Sequence, residues 1–218
     1  MNLDELIETI PSYAKDLKLN FSSVVRQQAD LSEQQAWGTL VATAIASRNE
    51  GLTKAALEEA AIHLSPEALE AAKGAAAIMG MNNIYYRFLH LTSNEKYGTM
   101  RAGLRMNVMR THGIDPLDFE LWSIAVSAIN GCGACVDSHE KTLREKGISE
   151  EKILAAIRIA SVVHAIAAVL DAVGAVCVLA CGVNPVDGAG TRPVVRVDGL
   201  DVSGCSAEAV TDVVSRHA

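Results

Sequence analysis

DFELWSIAVSAINGCGACVDSHEKTLR, residues Asp118 to Arg144, holds two helical patterns separated by one turn signal. Phe119 to Asn130 is almost continuously apolar, the signature of a helix buried on most of its circumference. Asn130-Gly131 then breaks the pattern as a turn dipeptide. Cys132 to Lys146 resumes it with apolar and polar positions at helical spacing, so Cys132 is expected at or near a helix N-terminus. The next helix is expected over Glu150 to Ala172, opened by Ser149-Glu150-Glu151. Upstream, Asp4 to Asp16 reads as an amphipathic helix interrupted at Pro11, and Gln34 to Arg48 as a second helix with Ser32 and Glu33 at its start. Ser65-Pro66-Glu67 is a helix start in three residues: a serine cap, a proline at the first helical position and an acid suited to the dipole. No alternating strand pattern interrupts this region. The fold class is all-α.

A shift of 85 positions, the separation of Trp37 from Trp122, also aligns Val41 with Val126, Leu69 with Leu154, Ala71 with Ala156, Lys73 with Arg158 and Ala75 with Ala160. Such a period predicts a helical bundle of two related repeats, one over about 32–90 and one over about 117–172. Where the second repeat has Cys132 and Cys135, the first has Ser47 and Glu50. The scaffold is doubled and the chemistry is not. Residues 1–172 are expected to form one domain and 173–218 a flexible C-terminal extension of low regular structure. Within it, Asn184 to Arg192 reads as loop, Val194 to Val202 as a weak strand or hairpin, and Ser206 to His217 as a short helix.

The chain has 218 residues, of which 50% are hydrophobic, 21% charged and 4% aromatic. That composition supports a packed core and excludes a disordered acidic chain. A net charge of −7 repels phosphate, so no nucleic acid is expected as partner. Met1 to Glu5 carries no secretory signal pattern, and five cysteines do not suit a disulfide-stapled scaffold. A cytoplasmic location is expected. The apolar run from Ala165 to Val183 contains Asp171, Gly174 and Gly182, and is expected to be a buried helix and not a membrane span.

Cys132, Cys135 and His139 share one helical face: at about 100° per residue, Cys135 lies about 60° and His139 about 20° from Cys132. Thiolate formation is favoured by a helix N-terminus, by CxxC geometry and by a neighbouring imidazole, and all three coincide here. Three chemistries fit the pair: a structural pair of small apolar residues, a zinc site completed by His139 and by Cys177 or Cys181, or thiol redox chemistry. A thioredoxin arrangement does not fit, because no strand precedes Cys132. Glu120 would meet His139 only if the first helix folds back on the second at Asn130-Gly131. As an acid at its helix N-terminus it also has a bland explanation in the helix dipole. His164 is expected as a core or interface histidine, and the methionines Met79 to Met81 and Met106 to Met109 are expected in packing roles. Tyr85-Tyr86-Arg87 suits an interface.

PSYAKDLKLN (Pro11 to Asn20), AAIMGMNNIYYR (Ala76 to Arg87), GLRMN (Gly103 to Asn107) and the opening stretch closely resemble the alkyl hydroperoxidase D family of the carboxymuconolactone decarboxylase-like superfamily. The resemblance covers about residues 1–172. It rests on a glutamate, a CxxC twelve residues on and a histidine beyond: Glu120, Cys132, Cys135 and His139. The resemblance implies an antioxidant peroxidase that reduces organic hydroperoxides to alcohols. Cys135 would be the peroxidatic residue and Cys132 the proton donor and resolving residue, with His139 as base and Glu120 orienting it. It implies a Cys132–Cys135 redox disulfide recycled by the dihydrolipoyl group of a 2-oxo-acid dehydrogenase component with dihydrolipoamide dehydrogenase, and a homotrimer. No bound flavin, haem or metal is implied, since the dithiol carries two electrons. The alternatives are an adaptor that passes electrons to a separate peroxiredoxin and a zinc-stabilised structural subunit. The family pattern has a histidine immediately before the second cysteine; here that position is Ala134.

Overall fold

The computed structural model describes residues 1–181 together with Arg196–Val197 and Leu200–Asp201, and side chains through residue 175. α1 (Leu3–Glu8) begins with a capping box in which the Asn2 side chain accepts from the Glu5 N–H and the Glu5 carboxylate accepts from the Asn2 N–H. The single interrupted helix expected over Asp4–Asp16 is instead three pieces. Extended backbone at Pro11 separates α1 from a 3₁₀ turn (Ser12–Ala14), which leads into α2 (Lys15–Phe21) and a π-helical turn (Ser22–Arg26). Proline has no N–H for the helical ladder, so the chain changes direction there.

α3 (Glu33–Ser47) has its own Ser32/Gln35 capping box. Eleven of its fifteen residues are buried, among them Thr39, Thr43 and Ser47, whose hydroxyls donate to the carbonyls four residues back at 2.6, 2.6 and 2.8 Å. The donors are thus satisfied without leaving the helix. α4 (Glu50–His63), capped by Asn49, is a helix the sequence patterns above do not single out. Its buried face is Leu52, Ala55, Ala56 and Ala60, small residues whose periodicity is weak against the charges around them. α5 (Pro66–Leu91) starts at the Ser65 cap as expected. Two single turns follow, α6 (Lys96–Thr99) and α7 (Val108–Thr111).

α8 (Pro116–Ile129) starts at an Asp115 cap, three residues before the expected start, because Pro116 suits the first helical position. α9 (Gly133–Glu145) is short and amphipathic, and α10 (Glu150–Cys181) runs nine residues beyond the expected end at Ala172. Over Glu150–Ala175 it is long and apolar enough to cross a membrane, and half of its most apolar window is buried inside the molecule. α3 and α8 lie against each other at the centre, flanked by α5 and α10. α3 packs against α4 and α5, and α8 against α9 and α10. At the contact of α3 with α8 the indole of wholly buried Trp122 lies over Gly38 and donates to the Gln35 carbonyl at 3.2 Å. Buried Asp118 accepts from the side-chain amides of Gln34 and Gln35 at 2.7 and 2.8 Å, tying the N-terminus of α8 to that of α3.

The weak strand pattern over Val194–Val202 corresponds to an antiparallel pair, β1 (Arg196–Val197) and β2 (Leu200–Asp201), with Arg196 opposite Asp201 and Val197 opposite Leu200. The Asn184–Arg192 loop, the Ser206–His217 helix and the flexibility of the extension lie outside the described residues.

Candidate functional site

α8 ends and α9 begins within three residues, and backbone hydrogen bonds fix how. Gly131, in the left-handed region at φ 66°, donates to the Ala128 carbonyl at 3.1 Å, and the Cys132 N–H donates to the Ser127 carbonyl, also at 3.1 Å. This is a Schellman motif with glycine where a left-handed residue is needed. Cys132 then caps the next helix: its carbonyl accepts from the N–H groups of Cys135 and Val136 at 3.0 and 2.9 Å. The turn therefore sets Cys132 at the end of one helix and the start of the other, and folds α8 back along α9.

Cys132 is fully buried and Cys135 is 6% exposed; their Cα atoms are 5.3 Å apart and their sulfurs form a disulfide. Cys135 sits in the first turn of α9, where unpaired N–H groups and the helix dipole favour negative charge. One turn on, His139 is 7% exposed. Its Nδ1 lies 2.6 Å from Glu120 Oε2 and its Nε2 lies 3.3 Å from the sulfur of Met79 on α5. A carboxylate on Nδ1 selects the tautomer that carries its proton there and leaves Nε2 as the basic nitrogen. The hydrogen bonds of the ring thus go to Glu120 and Met79, and not to either sulfur of the disulfide.

The four sequence-predicted residues, Glu120, Cys132, Cys135 and His139, are brought together. With α8 beginning at Pro116, the acid in its first turn is Asp118, so the dipole does not account for Glu120. Met79, expected only to pack, is a core residue that also meets the imidazole. Two polar groups of α5 were not foreseen. Asn83 is buried against Ser127 and Asn130, and Arg87 Nη1 donates to the Asn130 carbonyl at 2.5 Å. A polar residue inside a run that reads as core would have been the available signal. Of the two places expected for His164, the core is not the one it takes: it lies exposed on α10, with Nδ1 3.3 Å from Ser47 Oγ. Of the donors for a zinc site, Cys132 and Cys135 are bonded to each other and His139 Nδ1 faces Glu120, while Cys177 and Cys181 lie beyond the described side chains. Among the described residues no group of three or more His, Cys, Asp or Glu is placed to hold a metal ion.

The site thus carries a CxxC at a helix start and, one turn further along α9, an imidazole held by a carboxylate. Residues 95–176 match the carboxymuconolactone decarboxylase family. Relatives named alkyl hydroperoxide reductase AhpD include those of Acidobacterium capsulatum, 69% identical over 172 residues (79% of this chain, 94% of the relative), and Koribacter versatilis, 65% identical over 172 residues (79% and 89%). The AhpD of Streptomyces coelicolor is 57% identical over 172 residues (79% and 96%). This chain belongs to the AhpD family, within the carboxymuconolactone decarboxylase-like superfamily.

Proposed function

We propose that this protein is an alkyl hydroperoxide reductase whose Cys132–Cys135 dithiol carries out the reduction. The names of its relatives supply the substrate class. The observation that carries the mechanism is the placing of Cys135 in the first turn of α9, beside Cys132 and one turn before an imidazole held by Glu120. In the reduced protein, Glu120 keeps the proton on Nδ1 of His139, and Nε2 takes the proton of the Cys135 thiol. That transfer needs the Met79 thioether to give way, since it occupies the Nε2 side of the ring.

The Cys135 thiolate attacks an oxygen of the hydroperoxide. The O–O bond breaks, the sulfur becomes a sulfenic acid and the departing alkoxide takes a proton from Cys132 to leave as the alcohol. The Cys132 thiolate then attacks the sulfenic sulfur and forms the disulfide, and the expelled hydroxide leaves as water with the proton held on Nε2 of His139. Two electrons pass from the dithiol to the peroxide, so the chemistry needs no flavin, haem or metal. Ala134 offers no proton, and the resemblance gives the donor's role to Cys132.

A dithiol reductant suits a disulfide this buried, because a second thiol on the same molecule displaces the mixed disulfide by ring closure. The resemblance points to the dihydrolipoyl group of a 2-oxo-acid dehydrogenase component, with dihydrolipoamide dehydrogenase behind it, in the cytoplasm. It also points to a homotrimer. Exposed apolar side chains at Ile84, Phe88, Leu91, Tyr97, Met100 and Leu104, on the second half of α5 and the segment after it, support such an assembly.

The test is lipoamide-dependent reduction of an alkyl hydroperoxide, coupled through dihydrolipoamide dehydrogenase to NADH loss, for the wild type and Cys135→Ser. Turnover in the wild type and none in the variant is the expected result. If neither turns over while the wild-type cysteines still cycle, the protein passes electrons to a separate peroxiredoxin instead.

A further inference from the structure

Four residues from α5 and the α8–α9 turn form a chain of hydrogen bonds that no step of the chemistry uses. The side chain of Asn83 is wholly buried. Its Nδ2 donates to Ser127 Oγ at 2.9 Å and its Oδ1 accepts from Asn130 Nδ2 at 2.9 Å. One helical turn further along α5, Arg87 Nη1 donates to the Asn130 carbonyl at 2.5 Å. Both contacted residues belong to the Schellman turn: Ser127 supplies the carbonyl that receives the Cys132 N–H, and Asn130 is two residues before Cys132. α5 therefore grips the turn at both ends: Asn83 holds the side chains of Ser127 and Asn130, and Arg87 holds the Asn130 carbonyl.

We infer that Asn83 and Arg87 are positioning residues for the dithiol: they clamp the α8–α9 turn to α5 and hold Cys132 where its sulfur can reach Cys135. The inference rests on Cys132 and Cys135 being the redox pair. Its direction follows from which state needs the clamp. In the disulfide, the S–S bond itself fixes Cys132. In the dithiol that bond is gone and the backbone bonds of the turn and the clamp hold Cys132, so loosening the clamp gives more conformational freedom to the reduced state than to the disulfide. A weaker clamp favours the reduced state and lowers the effective concentration of one sulfur at the other.

The measurement is the dithiol–disulfide equilibrium of the full chain in glutathione redox buffers, read by thiol alkylation, beside its thermal unfolding. Asn83→Leu is expected to shift the equilibrium about tenfold toward the dithiol, equivalent to about 30 mV for a two-electron couple. Arg87→Met is expected to shift it about threefold in the same direction, and Arg87→Lys, which keeps a donor for the Asn130 carbonyl, to restore most of that. A residue serving stability alone would lower the unfolding temperature and leave the equilibrium in place. Arg87 is only half-buried, so its variants decide the matter if Asn83→Leu does not fold. An equilibrium within twofold of wild type in Arg87→Met, or in a folded Asn83→Leu, overturns the clamp. A wild type whose cysteines do not interconvert at all overturns the redox pair, and the clamp with it.

Discussion

His139 has two ring nitrogens and two unlike neighbours, a carboxylate and a thioether, and that asymmetry assigns its role. His139→Gln is expected to lower hydroperoxide turnover by about 10²-fold or more, the usual contribution of a positioned base. Turnover retained in the variant would mean that another group takes the proton. Glu120→Gln keeps the shape but not the charge, and a loss of about tenfold is expected in the same assay. Cys132, Cys135 and His139 were legible as one helical face, because a turn dipeptide fixes where one helix ends and helical periodicity fixes which side chains share a face; Glu120, on the preceding helix, was singled out by the family resemblance. Met79 was not legible in its second role. No local signal separates a core methionine from one whose sulfur meets an imidazole sixty positions later in the chain.

At the scale of the element, the α3–α8 contact depends on the missing side chain of Gly38. A Cβ there would lie 2.1 Å from the Cε2 atom of Trp122, whose buried indole has nowhere to retreat. Gly38→Ala is expected to destabilise the protein by about 1–3 kcal/mol despite the better helix propensity of alanine, as overpacking of a filled core does. Chemical denaturation checks this, and an unchanged midpoint contradicts it. At the start of α5, the backbone N–H of Glu67 and then the Ser65 hydroxyl hold the Glu67 carboxyl below its ordinary range. A carboxylate depressed in the folded state stabilises it above the ordinary glutamate range, and that stabilisation fades as pH falls through the lowered value. A proton titration followed by NMR should find Glu67 ionising below a free glutamate, and moving upward in Ser65→Ala. Caps of this kind made the starts of α3, α5 and α10 legible. The start of α8 escaped because Asp115-Pro116, an aspartate cap with proline at the first helical position, lies ahead of the apolar run that marks the helix. The continuation of α10 to Cys181 escaped because Gly174 does not interrupt a helix packed on α3, α8 and α2.

For the whole molecule, the doubled scaffold was readable from paired tryptophans and alanines at a fixed spacing, whereas assembly is a property of surface and left no periodic trace. The exposed apolar residues from Ile84 to Leu104 are expected to be covered in a homotrimer. Sedimentation equilibrium should give three times the mass of the chain, and Phe88→Asp should shift the protein toward monomer; a monomeric wild type contradicts the assembly. The central claim is that the Cys132–Cys135 dithiol itself reduces the peroxide. Its most direct test is a single turnover without any recycling system: reduced protein mixed with tert-butyl hydroperoxide, with thiols and alcohol both counted. One alcohol formed for every two thiols lost, with no alcohol from Cys135→Ser, is the expected result. Alcohol formed by the serine variant, or thiols untouched by the peroxide in the wild type, would contradict it.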